Sequence, residues 1–323
     1  MSGERVRRVQ WFRESGRVQS GKRDARDSAR KEVDGNRAER ETESYSKERW
    51  KEDIMSTETR ELVYVLTGGC GFLGQHLLKV LLEKEEKLKE IRLFDKHVDW
   101  NLQTCSTDYS SVLEACRGAD LVIHSASLVD VWYRVPEEII YSVNVGGIYG
   151  ENHQLMKEFY MMGVRTCGWL IKGVPRSTEH GRVYAGNVAW MHVLAAQALR
   201  KRPERLGGEV YFCYDDSPHK SYEEFNMQFL SVFNFRSLRM PLCMLWMVAC
   251  FNELLRWMLR PVCNFAPMLN RYTLAIACTS FTVCSDKALR HFGYRPLYDW
   301  PQCRERTQRW VNTFRLNADQ KNA

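Results

Sequence analysis

The feature that most constrains this chain is a run of glycines set between a short apolar strand and an amphipathic helix. Leu62 to Thr67 reads Leu-Val-Tyr-Val-Leu-Thr, and Gly68-Gly69-Cys70-Gly71-Phe72-Leu73-Gly74 follows at once. From Gly69 the run is Gly-x-Gly-x-x-Gly, and from Gly68 it is Gly-x-x-Gly-x-x-Gly. Leu77, Leu78, Leu81, Leu82 and Leu88 then recur at helical spacing, before a second strand, Ile91 to Phe94, ends in Asp95. Each part has a physical task. Gly69 permits a tight turn, Gly71 lets a pyrophosphate approach the backbone, and Gly74 lets helix and strand pack closely. Phe72 and Leu73 open the helix, whose first N–H groups face the phosphates. Asp95 accepts both ribose hydroxyls and repels a 2′-phosphate, which favours NAD over NADP. Strand, glycines, helix, strand and terminal acid in this order predict a dinucleotide site on a Rossmann-like, doubly wound parallel sheet of the α/β class.

The next strand, Ala119 to His124, leads into Ser125-Ala126-Ser127. Small residues there suit a backbone passing under the cofactor, so Ser125 and Ala126 join the predicted NAD site. His124 reads as a hydrogen-bonded strand-end residue rather than a base. The interval from Asp95 to Asp120 is tight for a third strand with two connections, and that strand is expected to be shortened or absent.

Charge sets the boundary of the folded part. The chain carries 47 Lys and Arg against 40 Asp and Glu, a net +7, and much of this charge falls before residue 60. Such a segment buries too little apolar surface to offset its ordering entropy, so residues 1–60 are expected to be a disordered or weakly helical extension, with Met55 as a natural start. Acids interleave with the bases, which argues against a nucleic-acid partner. The eleven cysteines include no Cys-x-x-Cys pair. Neither a disulfide scaffold nor a metal site is expected, and reduced thiols fit a cytosol-facing protein.

Beyond the glycine loop a series of short runs carries a resemblance. Thr67 to Gly74, Val122 to Ala126 and Val143-Asn-Val-Gly146 are joined by Ile148-Tyr-Gly-Glu151 and His180-Gly-Arg-Val-Tyr184. Gly186-Asn-Val-Ala-Trp190, Tyr211 to Asp216, Ser221 to Asn226 and His291 to Tyr294 continue it. Together they resemble the extended short-chain dehydrogenases, specifically the 3β-hydroxysteroid dehydrogenase/Δ5-Δ4 isomerase family. His153-Gln154, Gly168-Trp-Leu170 and Trp190-Met-His192 are nearest the 3β-hydroxy-Δ5-C27-steroid oxidoreductase branch, which acts on 7α-hydroxylated sterols in bile-acid synthesis. The resemblance implies oxidation of a 3β-hydroxyl with NAD, through a Tyr-x-x-x-Lys pair on a helix and a Ser or Thr on the preceding strand.

That pair is absent from the sequence. Tyr141 is followed four residues later by Val145, Tyr149 by His153, Tyr160 by Val164 and Tyr184 by Val188, and no other tyrosine meets a lysine at this distance. The resemblance places the gap between Gly147 and Ile148, where an interior strand and the catalytic helix are expected to be missing. No catalytic residue is therefore assigned. Tyr141, Tyr149, His153 and Lys172 qualify by side-chain type alone.

Gly186 to Leu199 reads as an apolar helix that the resemblance sets beside a sterol cleft, with His192 more simply a packing residue than a substrate contact. Pro241 to Phe251 is an apolar run, continued by Leu254, Leu255, Trp257, Met258 and Leu259. A spanning helix needs about 20 predominantly apolar residues, so an interfacial helix at the membrane surface is expected, with a buried core helix as the alternative. The resemblance implies a sterol substrate and the cytosolic face of the endoplasmic reticulum membrane, and leaves a homo-oligomer open. The expected organisation is residues 1–60 as extension, 61–147 as dinucleotide-binding half, 148–312 as substrate-binding and membrane-contacting region, and 313–323 as tail.

Overall fold

The computed structural model of the protein describes residues 8–12, 60–95, 109–125, 147–263, 265, 267, 269–283 and 286–319. The strands Arg8–Phe12 (β1), Leu62–Thr67 (β2), Leu88–Phe94 (β3) and Leu121–His124 (β4) form one parallel sheet in the order β1-β3-β2-β4. All six residues of β2 are buried, as an interior parallel strand requires. The helix Phe72–Lys84 (α1) makes the crossover from β2 to β3, and Tyr109–Cys116 (α2) precedes β4.

β1 corrects the expectation for the N-terminal extension. Arg8 to Phe12 pairs in parallel along β3, from Arg8 opposite Glu90 to Phe12 opposite Phe94. Its Val-Gln-Trp-Phe core is the one strand-like run in that charged stretch, and β3 would otherwise present an unpaired edge. Residues 96–108, where the short third strand was sought, lie outside the described residues. The place beside β3 that a doubly wound sheet gives to such a strand is held by β1.

The rest of the chain builds around smaller parallel pairs. Ile148–Tyr149 (β5) precedes Gln154–Arg165 (α3) and Trp169–Lys172 (β6), and Val183–Tyr184 (β7) runs directly into Ala185–Lys201 (α4). Pro203–Leu206 (α5), Tyr222–Leu230 (α6), Arg236–Arg239 (β8) and Leu242–Leu259 (α7) follow. Arg271–Cys278 (α8), Lys287–Phe292 (α9) and Trp300–Asp319 (α10) complete the chain. β5 pairs with β7, and β6 with β8.

The two largest of the four apolar clusters among the described residues organise most of these elements, and neither respects the expected boundaries. The first joins Leu62, Tyr64 and Leu66 of β2 and Leu77, Val80 and Leu81 of α1 to Ala189, Val193 and Ala196 of α4. It therefore crosses the 147/148 division, because α4 packs on the same sheet as α1. The second gathers Tyr149, Tyr184, Phe225 and Phe229 with Val311 and Phe314 of α10. The helix thus runs through the position expected for a tail at 313, since its apolar stripe continues to Phe314.

α7 lies on the surface. Leu245 and Ala249 are its buried residues, whereas Trp246, Met247, Phe251, Leu254, Trp257 and Met258 are exposed. A buried core helix is excluded. By length and composition α7 could cross a membrane.

Candidate dinucleotide and substrate site

The glycine loop sits where β2 ends. Gly68 takes a positive φ of 71°, its N–H donates to Phe94 O at 2.7 Å, and its carbonyl accepts from Gly71 N–H at 3.0 Å. The tight turn thus belongs to Gly68 and not to Gly69, whose φ is ordinary. A Cβ on Gly69 would meet only the side chain of Leu93, at 2.8 Å. Gly74 fulfils its expected role: a Cβ there would fall 2.0 Å from the Gly68 carbonyl oxygen and 2.7 Å from Gly69 Cα. Helix and strand are as close as two backbones allow.

α1 begins at Phe72 with Gly71 as its N-cap, and no side chain caps it. Gly71 is exposed, so the helix start faces solvent through a residue without a side chain. This is a cradle suited to a pyrophosphate, and the residues present fit a dinucleotide. Phe72 and Leu73 contribute through their backbone. The Phe72 ring packs against His153 at 5.2 Å and His76 at 5.6 Å, and Leu73 leans on the first core.

Asp95, at the end of β3, accepts from the Cys70 backbone N–H through Oδ2 at 2.7 Å. Ser125 donates its hydroxyl to Thr67 O at 2.7 Å, and its N–H reaches the same oxygen. The loop, Asp95 and Ser125 therefore meet at the C-terminal ends of β2, β3 and β4, the edge where open α/β sheets bind ligands. Ala126 lies outside the described residues, as do Tyr141 and Val143 to Gly146. His124 hydrogen-bonds Thr67 Oγ1 through Nδ1 at 2.7 Å, as expected of a strand-end histidine.

A second set of polar groups, not picked out from the sequence, ties the start of α1 to the segment after β5. His76 Nε2 donates to the Glu151 carbonyl at 3.1 Å, and Asn152 Nδ2 donates to Gln75 Oε1 at 2.8 Å. The Tyr184 hydroxyl donates to the Glu151 carboxylate at 2.7 and 3.0 Å. Burial followed by the Glu151 charge pushes the Tyr184 phenol far above its usual range, and burial holds His76 below its own. Asp215 anchors the same region, accepting from Tyr184 N–H and Asn187 Nδ2 at 2.8 Å each and from Ser217 N–H at 3.0 Å. The Tyr184-Ala-Gly-Asn187 run thus builds the junction of β7 and α4.

Of the residues considered by type, Tyr149 is fully buried and hydrogen-bonded to Ser217 Oγ at 2.7 Å. Burial pushes its phenol far up and keeps it from contact with solvent. His153 is held down to about 4, by burial first and then by the Arg182 charge. Lys172 ends β6, in a different sheet from Tyr149. His192 hydrogen-bonds Val188 O one turn back in α4, at 2.8 Å. No cluster of metal-ligating side chains occurs among the described residues.

Comparison with known proteins matches the model of the 3-beta hydroxysteroid dehydrogenase/isomerase family over residues 65–148 and 146–243. The human 3 beta-hydroxysteroid dehydrogenase type 7 is 38% identical over 358 aligned positions, covering 79% of this chain and 97% of the relative. The mouse protein of the same name is 37% identical, covering 81% of this chain and 99% of its own. Among solved structures, the dTDP-glucose 4,6-dehydratase DesIV of Streptomyces venezuelae, with NAD and TYD bound, superposes with a TM-score of 0.50 at 14% identity, over 79% of this chain and 98% of its own. An epimerase of Methanothermobacter thermautotrophicus gives 0.50 at 12% identity, over 80% and 94%. These two likenesses establish the Rossmann-type α/β fold.

One feature of the matches bears on Gly147 and Ile148, and a second on the length of the chain against its relative. The family model aligns in two pieces that meet at residues 146–148. In the human alignment, 79% of 323 residues is about 255, so about 100 of the 358 aligned positions hold residues of the relative alone.

Proposed function

This chain belongs to the 3-beta hydroxysteroid dehydrogenase/isomerase family, and from that premise we propose that it binds NAD and a 3β-hydroxy-Δ5 sterol but is impaired in catalysis. The observation that carries this reading is the two-piece family match meeting at 146–148, together with the absence of any Tyr-x-x-x-Lys from the sequence. Residues on either side of the junction keep the family pattern, while about 100 positions of the human relative have no counterpart. Those are enough for a strand, a serine and the helix that carries the proton-transferring pair.

The NAD site is supported by the Gly68 to Gly74 loop, Asp95 and Ser125. When bound, the cofactor supplies a hydride acceptor, and the chain's own residues hold it. The start of α1 offers backbone N–H groups to its phosphates, and Asp95 offers a carboxylate to its ribose. The sequence holds no Tyr-x-x-x-Lys pair to take the hydroxyl proton, a loss worth roughly 10²- to 10⁴-fold in rate. The relatives named type 7 support a sterol substrate, and the branch resemblance makes it a 7α-hydroxylated C27 sterol. The exposed apolar face of α7 supports contact with the cytosolic face of the endoplasmic reticulum membrane. A non-catalytic member that retains NAD or sterol affinity is the same molecule with its residual turnover at zero.

Two measurements on the purified chain test this. NADH fluorescence titration reads binding, and NADH formation from a 3β-hydroxy-Δ5 sterol reads turnover. Binding with turnover at least a hundredfold below a full-length family member is expected. Turnover at the level of that member would overturn the claimed impairment, and absence of NADH binding would overturn the dinucleotide site.

A further inference from the structure

We propose that Arg182 anchors a buried anion-binding site between the start of β7 and α6, built to take the paired oxygens of a carboxylate or phosphate group. Arg182 is 3% exposed, and it forms no ion pair with a described acidic side chain. Its guanidinium stacks over Tyr222 at 3.9 Å and Phe225 at 4.9 Å. Nε and Nη2 are both buried and without a hydrogen-bond partner. These two nitrogens form one edge of the guanidinium, with their N–H bonds pointing the same way, and that edge matches a carboxylate or phosphate bidentately.

The neighbours repeat the pattern. Nδ2 and Oδ1 of Asn226, one residue after Phe225 in α6, are buried without partners, and so is Nδ1 of His153. Polar atoms in protein interiors are bonded in the great majority of cases, so several left open in one region mark a place made for a polar guest. Aromatic stacking alone is a poor reason to bury a cation. It returns less than removing the charge from water costs.

The surroundings favour an anion over water. Tyr222 and Phe225 keep the dielectric low, which strengthens attraction between guanidinium and anion. Burial holds the Arg182 guanidinium down to about 10. The arginine stem is fixed as well. A Cβ on Gly147 would come within 2.9 Å of Arg182 Cδ and 2.2 Å of Gly181 O, so only glycine lets the two segments lie this close. Tyr222 is partly exposed whereas Phe225 and Asn226 are buried, so the side of the Tyr222 ring lies nearest to solvent. His153 also packs against Phe72 at 5.2 Å, so this site adjoins the start of α1, but it does not depend on the sterol reading.

The test is thermal unfolding of the whole chain and of Arg182→Met, at constant ionic strength, with chloride, inorganic phosphate or phenylacetate, and phenylacetamide as the uncharged control. Phosphate or phenylacetate should raise the wild-type midpoint saturably over chloride, with at least a tenfold loss of affinity in the variant. A preference for phosphate assigns a phosphoryl group as the natural anion. A preference for phenylacetate over its amide assigns a carboxylate on an apolar body. In chloride alone, Arg182→Met should match or exceed the wild-type midpoint, because a buried unpaired charge is removed. Equal responses to all anions, or responses unchanged in the variant, would each overturn the proposal. Should the methionine variant fail to fold, Arg182→Lys retains the charge without the planar edge and should lose the same tenfold in anion affinity.

Discussion

The backbone N–H of Cys70 donates to Oδ2 of Asp95 at 2.7 Å, so the acid that ends β3 and the loop that leaves β2 form one unit. Asp95 thus has a structural task before any ribose arrives. Asp95→Ala should lower stability by roughly 1.5–3 kcal/mol, the range for a hydrogen bond to a charged group, and should abolish NADH binding. Asp95→Asn retains an acceptor for Cys70 and should cost less than about 1 kcal/mol, while still weakening NADH. Urea unfolding and NADH titration on the same two variants separate the tasks. Equal losses of stability in both would show that the bond to Cys70 contributes nothing.

The glycines of the loop are not equivalent. A methyl at Gly74 meets a carbonyl oxygen at 2.0 Å, whereas one at Gly69 meets the end of the Leu93 side chain at 2.8 Å. Backbone cannot yield as a leucine methyl can. Gly74→Ala should therefore cost more than about 3 kcal/mol and disorder the loop, and Gly69→Ala about 1 kcal/mol or less. Reversal of that order in chemical denaturation would show that the loop does not pack as described.

Most of the geometry around the glycine loop was legible because its determinants are local. Glycine spacing, strand composition and the acid after β3 all lie within one stretch of chain, and the structure brings Gly68, Gly71, Gly74, Asp95 and Ser125 to one edge of the sheet. Which glycine makes the turn was not legible, because Gly68 and Gly69 are adjacent and differ only in φ. The contacts of His76 with Glu151 and of Asn187 with Asp215 join residues far apart in sequence, and no periodicity encodes them. β1 was missed for a related reason. Five residues inside a charged segment form a strand only because β3 offers an edge, which is a property of the sheet and not of the segment.

Buried histidine makes stability depend on pH in a definite direction. His153 titrates at about 4 in the fold against 6.5 when exposed, so between these values the unfolded chain binds the extra proton. The contribution is complete above about pH 6.5 and is lost as pH falls toward 4, amounting to about 3 kcal/mol at most. His76, also held below its usual value by burial, acts in the same sense. Urea midpoints taken from pH 7.5 to about 4.5 should fall steeply for the wild type and less for His153→Phe, which retains a ring beside Phe72. Parallel curves would remove His153 as the source.

β1 protects an edge, so its removal should be felt. A chain beginning at Met55 leaves β3 with an unpaired parallel edge, a template for association with other chains. It should unfold at lower temperature, by about 2–4 °C for each kcal/mol lost, and should scatter light on heating before the full chain does. Identical melts and scattering in the two chains would mean that Arg8 to Phe12 adds nothing to the sheet.

α7 offers the most direct test of membrane contact, because its apolar residues face outward. Met247 and Trp257 are 68% and 72% exposed, so charges placed there should leave the fold intact. Burial of a large apolar side chain is worth about 1.5–3 kcal/mol, and each 1.4 kcal/mol is a factor of ten in binding. The double variant Met247→Asp, Trp257→Asp should therefore reduce co-sedimentation with phosphatidylcholine vesicles at least a hundredfold while its thermal midpoint stays within about 2 °C of the wild type. Vesicle binding that survives both substitutions would assign the membrane-contacting surface to another part of the chain. An unchanged midpoint with lost binding would make α7 an interfacial anchor, held to the protein by Leu245 and Ala249 on one side and to lipid on the other.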